Sequence, residues 1–382
     1  MSIFIGDTAR NNLASWTVHG IQDNYAAGAY LSPFTSPQLS NGFKKSAKDI
    51  AESIQAAGGE FWFDPMTYAL DMPRAGDYRY YDTWGLWNGV RGDFSSKEKR
   101  LEHIKRVYSI QDELNSPKLA PTQLVSYPDS PQSQKALDLS AEAIELAPDS
   151  WLTIAGDHNF WSSGLELDAH IGALDQLEPA GWLLVVARES NSMPPSVTAH
   201  EIFGLMRTTF SLSRDRPVRI AFGDIAALPA VAAGADAILT GWDLRQRICA
   251  YQDFEERDSD RLGGGWYQRP TLIGLMGGLS KREYETLTSE NLTLANRLAA
   301  GPIGPKPEQA FRHHSKMLSE IVTELRSLSG NKRVEVLKQR YLKAKPEWDE
   351  VRRITGASLG PERWIDPFLE GLELFERSEG WV

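Results

Sequence analysis

Between Ile3 and Gly241 the chain repeats one pattern: a short apolar run rich in valine, isoleucine and aromatic residues, then a stretch with helical periodicity. Such alternation marks β-α units around a parallel sheet, because each crossover helix must bury its apolar face on the strands it connects. The clear strands are Ile3 to Ile5, Glu60 to Phe63, Gln123 to Ser126, Trp151 to Ala155, Trp182 to Ala187, Val218 to Phe222 and Ala237 to Thr240, with an eighth expected at Ala27 to Leu31. Eight such units within 382 residues predict a TIM-type (β/α)8 barrel over residues 1–270 and a helical extension over 271–382 packed on it.

Local signals punctuate the helices. Lys45 to Ala57 stops at Gly58-Gly59, Ser130-Pro131 opens another helix, and Thr198-x-x-Glu201 and Ser280-x-x-Glu283 read as capping boxes. After Gly241 the alternation ends. A loop at Gly263-Gly264-Gly265-Trp266 precedes helical segments over Thr271 to Leu279 and Ser280 to Leu298, and Gly301-Pro302-Ile303-Gly304-Pro305 forms a turn or linker. Beyond it Met317, Leu318, Ile321, Val322, Leu325 and Leu328 lie on one helix face. That stripe needs a docking surface, either the barrel or another subunit, so a homo-oligomer is one expectation.

With 41% apolar and 24% charged residues, the composition supports a sizeable core without staples. The only cysteine, Cys249, excludes an intramolecular disulfide and any multi-cysteine zinc site, and it fits a reducing cytoplasm. No apolar run is long enough to span a membrane, and no signal-like segment opens the chain. The expectation is a soluble cytoplasmic protein. A net charge of −10 disfavours indiscriminate nucleic-acid binding, yet eight cations meet four acids between Asn331 and Arg353. Two readings stay open there: a solvated helix face, or a phosphate-contacting surface for nucleic acid through Lys332, Arg333, Lys338, Arg340 and Lys343.

Barrels of this type build active sites from the loops after their strands. The residues there are acidic: Asp7, Asp64, Asp129, Asp157 with His158, Glu189 beside Arg188, Asp224, and Asp243 near Arg245. Any one of them could simply cap a helix, and Asp224 and Asp129 invite that reading. A ring of them demands a cation or developing positive charge, for which Arg188, Arg245 and His158 are internal candidates. Cleavage at a glycosidic or N-glycosidic carbon has that need, since it passes through an oxocarbenium-like state. Metal-assisted hydrolysis is the rival, but no His-x-His near an early strand and no His-Glu-x-x-His occurs, so a tightly bound zinc is not expected, and the leading reading needs no cofactor. Twelve tryptophans are many for this length. Trp161 and Trp266, placed in loops, are candidates to stack on a sugar or base, with core filling as the alternative.

With these residues in view, the second half resembles the tRNA-guanine transglycosylase family, which exchanges deazaguanine bases in nucleic acid. Gly234-Ala235-Asp236 leads to Arg245 at the family's separation, and Arg312-His313-His314-Ser315 through Leu325 is similar to its closing histidine and amphipathic helix. Phe63-Asp64-Pro65-Met66-Thr67 occupies the position of its early aspartate. The likeness covers about half the chain. The family's nucleophilic aspartate falls on Leu239, with Asp243 the nearest carboxylate, and its zinc cysteines and its early serine and glycines are missing. The resemblance implies a barrel, Asp64 as general acid/base, and Asp243 as nucleophile or oxocarbenium stabiliser.

The leading expectation is therefore an enzyme acting on a sugar- or base-containing substrate, with Asp64, Asp157, Asp224 and Asp243 as its carboxylates. His158, Arg188, Arg245, Trp161 and Trp266 would bind the substrate. The alternatives are a hydrolase or lyase with a loosely held divalent ion on Asp64, Asp157 and His158, and a barrel without catalysis that serves as a binding subunit.

Overall fold

Each run read as a strand is a strand in the computed structural model, which describes residues 3–6, 13–40, 45–241, 243–256, 271–357 and 363–381. They are β1 (Ile3–Gly6), β2 (Gly28–Leu31), β3 (Glu60–Phe63), β4 (Leu124–Val125), β5 (Trp151–Gly156), β6 (Gly181–Arg188), β7 (Val218–Ala221) and β8 (Ala237–Gly241). Every ladder between them is parallel, and β1 pairs with both β2 and β8, so that Ile5 lies beside Ala29 on one side and Thr240 on the other. β1 and β5 are buried along their whole lengths, as expected of strands covered on both faces. The fold is a (β/α)8 barrel with further helices after it.

The outer layer is α1 (Leu13–Gln22), α2 (Ala47–Ala56), α3 (Lys97–Glu113), α4 (Pro131–Leu146), α5 (His158–Trp161), α6 (Leu165–Asp175), α7 (Ala199–Leu212) and α8 (Leu228–Ala233). Ser46, Ser130 and Thr198 cap α2, α4 and α7 with their side-chain oxygens. After β8 come α9 (Leu244–Arg247), the two-residue β9 (Cys249–Ala250), α10 (Lys281–Glu290), α11 (Leu292–Ala299), α12 (Pro307–Ser327), α13 (Asn331–Thr355) and α14 (Ile365–Ser378). Two expectations change here. Thr271 to Leu279 is a single 3-10 turn at Ile273–Leu275, ended by Met276 in the left-handed region and followed by Gly277. Ser280 to Leu298 is two helices, because Asn291 leaves the first and caps the second with its side chain.

The barrel itself covers the apolar stripe of α12. This helix packs on α1, α8, β1 and β8, the place of an eighth outer helix, and buries Leu318, Ile321, Val322 and Leu325 completely. α13 and α14 extend the layer over α8 and α7, with Trp348 and Trp364 in an edge-on pair 5.0 Å apart between them and the barrel. Among the described residues no helix is long and apolar enough to cross a membrane.

One ring position lacks a ladder: β3 and β4 do not pair. A side chain ties β3 to Leu119, in the segment that leads into β4 and pairs with Trp151 of β5. The buried amide of Gln111, on α3, donates to Phe63 O and Leu119 O at 3.0 Å each and accepts from Leu119 N at 3.1 Å, while Ser116 Oγ accepts from Phe63 N at 2.9 Å. Gln111→Leu keeps the volume and orphans three buried backbone groups, so urea unfolding should show a loss of about 2–3 kcal/mol. An unchanged midpoint would mean that the seam closes without the amide.

Candidate active site at the barrel mouth

Residues 243–254 fold back across the C-terminal end of the barrel. Asp243 caps α9 in a reciprocal box with Gln246, whose side chain then lies against the strand ends. A Cβ on Gly6 or Gly241 would stand 3.0 and 2.3 Å from Gln246 Cβ, so the close approach requires glycine at both. β9 then pairs with the end of β6, Cys249 beside Ala187 and Ala250 beside Arg188, and both β9 residues are fully buried. The mouth is left with two basins. Residues of β1, β2, β3, β7 and β8 and their loops line one, and those following β5 and β6 line the other.

The first basin is an aromatic pocket. Tyr30 and Phe222 meet edge-on at 6.0 Å, Phe34 and Phe254 at 5.1 Å, and Leu239, Met66, Thr240 and Gln246 complete the wall. Leu239 is the position on which the transglycosylase nucleophile falls, and it is a wall residue here. Met66, Phe222 and Asp224 have φ of 47°, 50° and 44°, left-handed values that cost non-glycine residues on the order of 1–2 kcal/mol each. Strain of this kind persists where surrounding contacts over-determine the backbone, and it collects at functional sites.

Asp64 and Asp224 lie behind this wall, not in it. Asp64 is 1% exposed; Tyr30 and Tyr68 hydroxyls and the Met66 N–H donate to it. Burial raises its pKa against the lowering effect of those donors. Tyr30 lines the pocket, and its hydroxyl is bonded to Asp64 behind it. Asp224 is also 1% exposed. It receives Arg247 Nε and Nη2, Thr240 Oγ1 at 2.7 Å and Ile225 N at 2.7 Å, and His314 stands 3.3 Å away. Burial pushes its carboxyl up, but the Arg247 guanidinium outweighs this and holds it well below the usual range. Asp224 is therefore a permanently ionised strut rather than a carboxylate facing a substrate.

Asp243 is also committed. Its carboxylate caps α9 through Arg245 N at 2.9 Å and pairs with the Arg245 guanidinium at 3.0 Å. Arg245 in turn lines the pocket with two further carboxylates, Asp77 and Asp253. Burial lowers the Arg245 pKa, but Asp243, Asp253 and Asp77 together raise it. Asp77 reaches this place because Gly76 N and Asp77 N both donate to Phe254 O, which zips the loop after β3 to the segment after β9. Asn191 holds Asp253 with two bonds of 3.1 and 3.2 Å. Sequence reasoning missed Asp77 and Asp253, since neither follows a strand directly.

Asp157, His158 and Arg188 are brought together in the second basin. Asp157 caps α5 and accepts from Ser126 Oγ at 2.5 Å, and His158 Nδ1 and Arg188 Nη2 approach Glu201 at 3.0 and 2.7 Å. Asp157 and His158 therefore share a basin that does not include Asp64. Among the described residues no three His, Cys, Asp or Glu side chains are grouped as a metal site, so the divalent-ion set Asp64, Asp157 and His158 is not assembled. Trp161 is corrected as well. It is fully buried, its Nε1 bonded to Gly156 O and Val185 O, and it has no face to offer a ligand. Asp7, Trp242, Trp266 and the glycines before Trp266 lie outside the described residues. On α13, Lys332, Lys338 and Arg340 pair with Glu335, Glu376 and Glu324, and Arg333 donates to Leu328 O. Lys343 is exposed.

No protein-family model matches the chain, and no curated protein matches it. Among solved structures, it is similar to a psychrophilic glycoside hydrolase family 10 endo-beta-1,4-xylanase, with 12% identity, a TM-score of 0.35, and coverage of 63% of this chain and 85% of that one. It is also similar to a protein described as a probable tagatose 6 phosphate kinase from Sinorhizobium meliloti 1021, with 11% identity, a TM-score of 0.35, and coverage of 99% and 98%. Likenesses at this level carry no argument about function.

Proposed function

We propose that this chain is a barrel enzyme that acts at a glycosidic or N-glycosidic carbon, with a flat ring of the substrate in the aromatic pocket. The observation behind this reading is the rim of that pocket, where Asp77, Asp243 and Asp253 surround the single guanidinium of Arg245. Three carboxylates against one cation leave a net negative field, which favours the positive charge that develops at the anomeric carbon. Aromatic walls suit a base or aglycone, since edge and face contacts with a planar ring add to simple burial.

The roles follow from what each group can reach. Asp253 and Asp77 face the pocket and would stabilise or capture the oxocarbenium, a task for which Asp243 is held too firmly by Arg245 and the α9 cap. Tyr30, backed by Asp64, would move the proton of the leaving group. Exchange of a nucleobase in nucleic acid is the specific form of this reaction that the sequence resemblance favours.

The test is release of free base or aglycone from a panel of nucleosides, single-stranded DNA, tRNA and aryl glycosides, followed by chromatography. Asp253→Asn should lower the rate about 100-fold or more, and Tyr30→Phe about 10–100-fold, with folding intact. Absence of release from every substrate, or full activity in both Asp253→Asn and Asp77→Asn, rejects the reading.

A further inference from the structure

The second basin invites a separate conclusion. Thr198 caps α7 by accepting from Glu201 N, but the glutamate does not return the bond as a capping box would. Its side chain turns into the basin instead, 2% exposed, where Oε2 meets His158 Nδ1 at 3.0 Å and Oε1 pairs with Arg188 Nη2 at 2.7 Å. Each carboxylate oxygen has a second lone pair, so both can still accept from a ligand hydroxyl beside the cations they already hold. His158 is 51% exposed, so with Nδ1 on Glu201 its other ring nitrogen remains for a ligand. Asp157 and the half-buried ring of Tyr251 form the facing wall, and the loop after β6 adds serine hydroxyls.

We infer that this basin binds a neutral, hydroxyl-rich molecule of the monosaccharide class. The charge count decides among ligands. Asp157, Glu189 and Glu201 outnumber Arg188 and even a protonated His158, so an anion such as phosphate is repelled. A metal cation would compete with Arg188 and His158, both already on Glu201. A sugar hydroxyl both donates and accepts, so it can answer a mixed set of carboxylate, imidazole and hydroxyl groups without net charge, and its C–H face can rest on Tyr251. Chain segment 249–254 separates this basin from the aromatic pocket, so the inference stands apart from the proposed reaction.

Saturation-transfer NMR with D-ribose, D-xylose and D-glucose on the full chain tests it. At least one sugar should give saturable binding that His158→Ala, at an exposed position, weakens about tenfold or more, the worth of one charge-assisted hydrogen bond. Asp157→Asn, which keeps the helix cap, should also weaken it, and Asp77→Asn in the other pocket should not. The inference fails if no sugar binds the wild type, if His158→Ala and Asp157→Asn bind as the wild type does, or if inorganic phosphate saturates the basin in preference to sugars. Sugar binding without base release would sink the reaction and leave this site standing; base release without sugar binding would do the reverse.

Discussion

Arg247→Met is expected to destabilise the fold by about 3–5 kcal/mol, the usual consequence of leaving a buried charge without its partner. Arg247 and Asp224 are each 1% exposed, and the aspartate is ionised because the guanidinium holds it so. His314, 3.3 Å from Asp224, could replace the lost cation only by charging a buried ring. It is fully buried, and burial together with Arg247 lowers its pKa, so it stays neutral between Thr240 and Thr271 hydroxyls at 3.1 and 2.8 Å. Adding Asp224→Asn to Arg247→Met removes both charges and retains a residue that tolerates the left-handed φ of 44° at this position. The double variant should therefore recover most of the loss in urea unfolding. A single variant within 1 kcal/mol of wild type, or a double variant no better than the single, would show that the pair does not carry this part of the barrel.

The fold was legible in the sequence because parallel strands covered on both faces are written as continuous apolar runs, and all eight could be picked out that way. The seam between β3 and β4 was not. Gln111 is one polar residue on a charged helix, and nothing local marks it as the group that ties β3 to the segment leading into β4. β9 escaped for another reason: two residues are too few for any periodicity, yet their pairing with β6 is what divides the mouth.

The candidate site was legible by residue type and not by role. Carboxylates after strands are a local signal, but their partners lie far along the chain: Tyr30 is 34 residues from Asp64, Arg247 is 23 from Asp224, and Glu201 is 43 from His158. Those partners decide whether an acid is hidden, clamped or presented. Asp64 and Asp224 are enclosed by theirs, whereas Asp77 and Asp253 face the pocket from loops that only the backbone contacts at Phe254 bring together. Trp161 misled in the same way, since a tryptophan in a short connection looks available until Gly156 O and Val185 O claim its indole.

Acid should bear on this fold through two buried histidines. Burial pulls His103 from 6.5 down to about 4, against the raising effect of its bond to Leu86 O, and burial alone does the same for His170. Leu86 O can only accept, so His103 donates from Nδ1 at 2.9 Å and keeps Nε2 for Thr67 at 3.0 Å, stacked 3.9 Å from Trp87. The folded chain resists protonating these rings while the unfolded chain takes protons from pH 6.5 downward. Their contribution is therefore complete above pH 6.5 and lost as the pH falls toward 4. Asp71, raised by burial to about 6, works in the opposite sense over the same range, so the wild-type curve alone would blur the effect. A variant carrying His103→Gln and His170→Gln retains Asp71 and isolates the histidines. Between pH 7 and pH 4.5 its stability should rise relative to wild type by about 4–5 kcal/mol, the sum of two shifts of this size. Guanidinium unfolding of both chains at the two pH values decides the matter: an equal difference at pH 7 and pH 4.5 means that the folded chain protonates these rings as readily as the unfolded chain does, and that neutral burial is the wrong account of them.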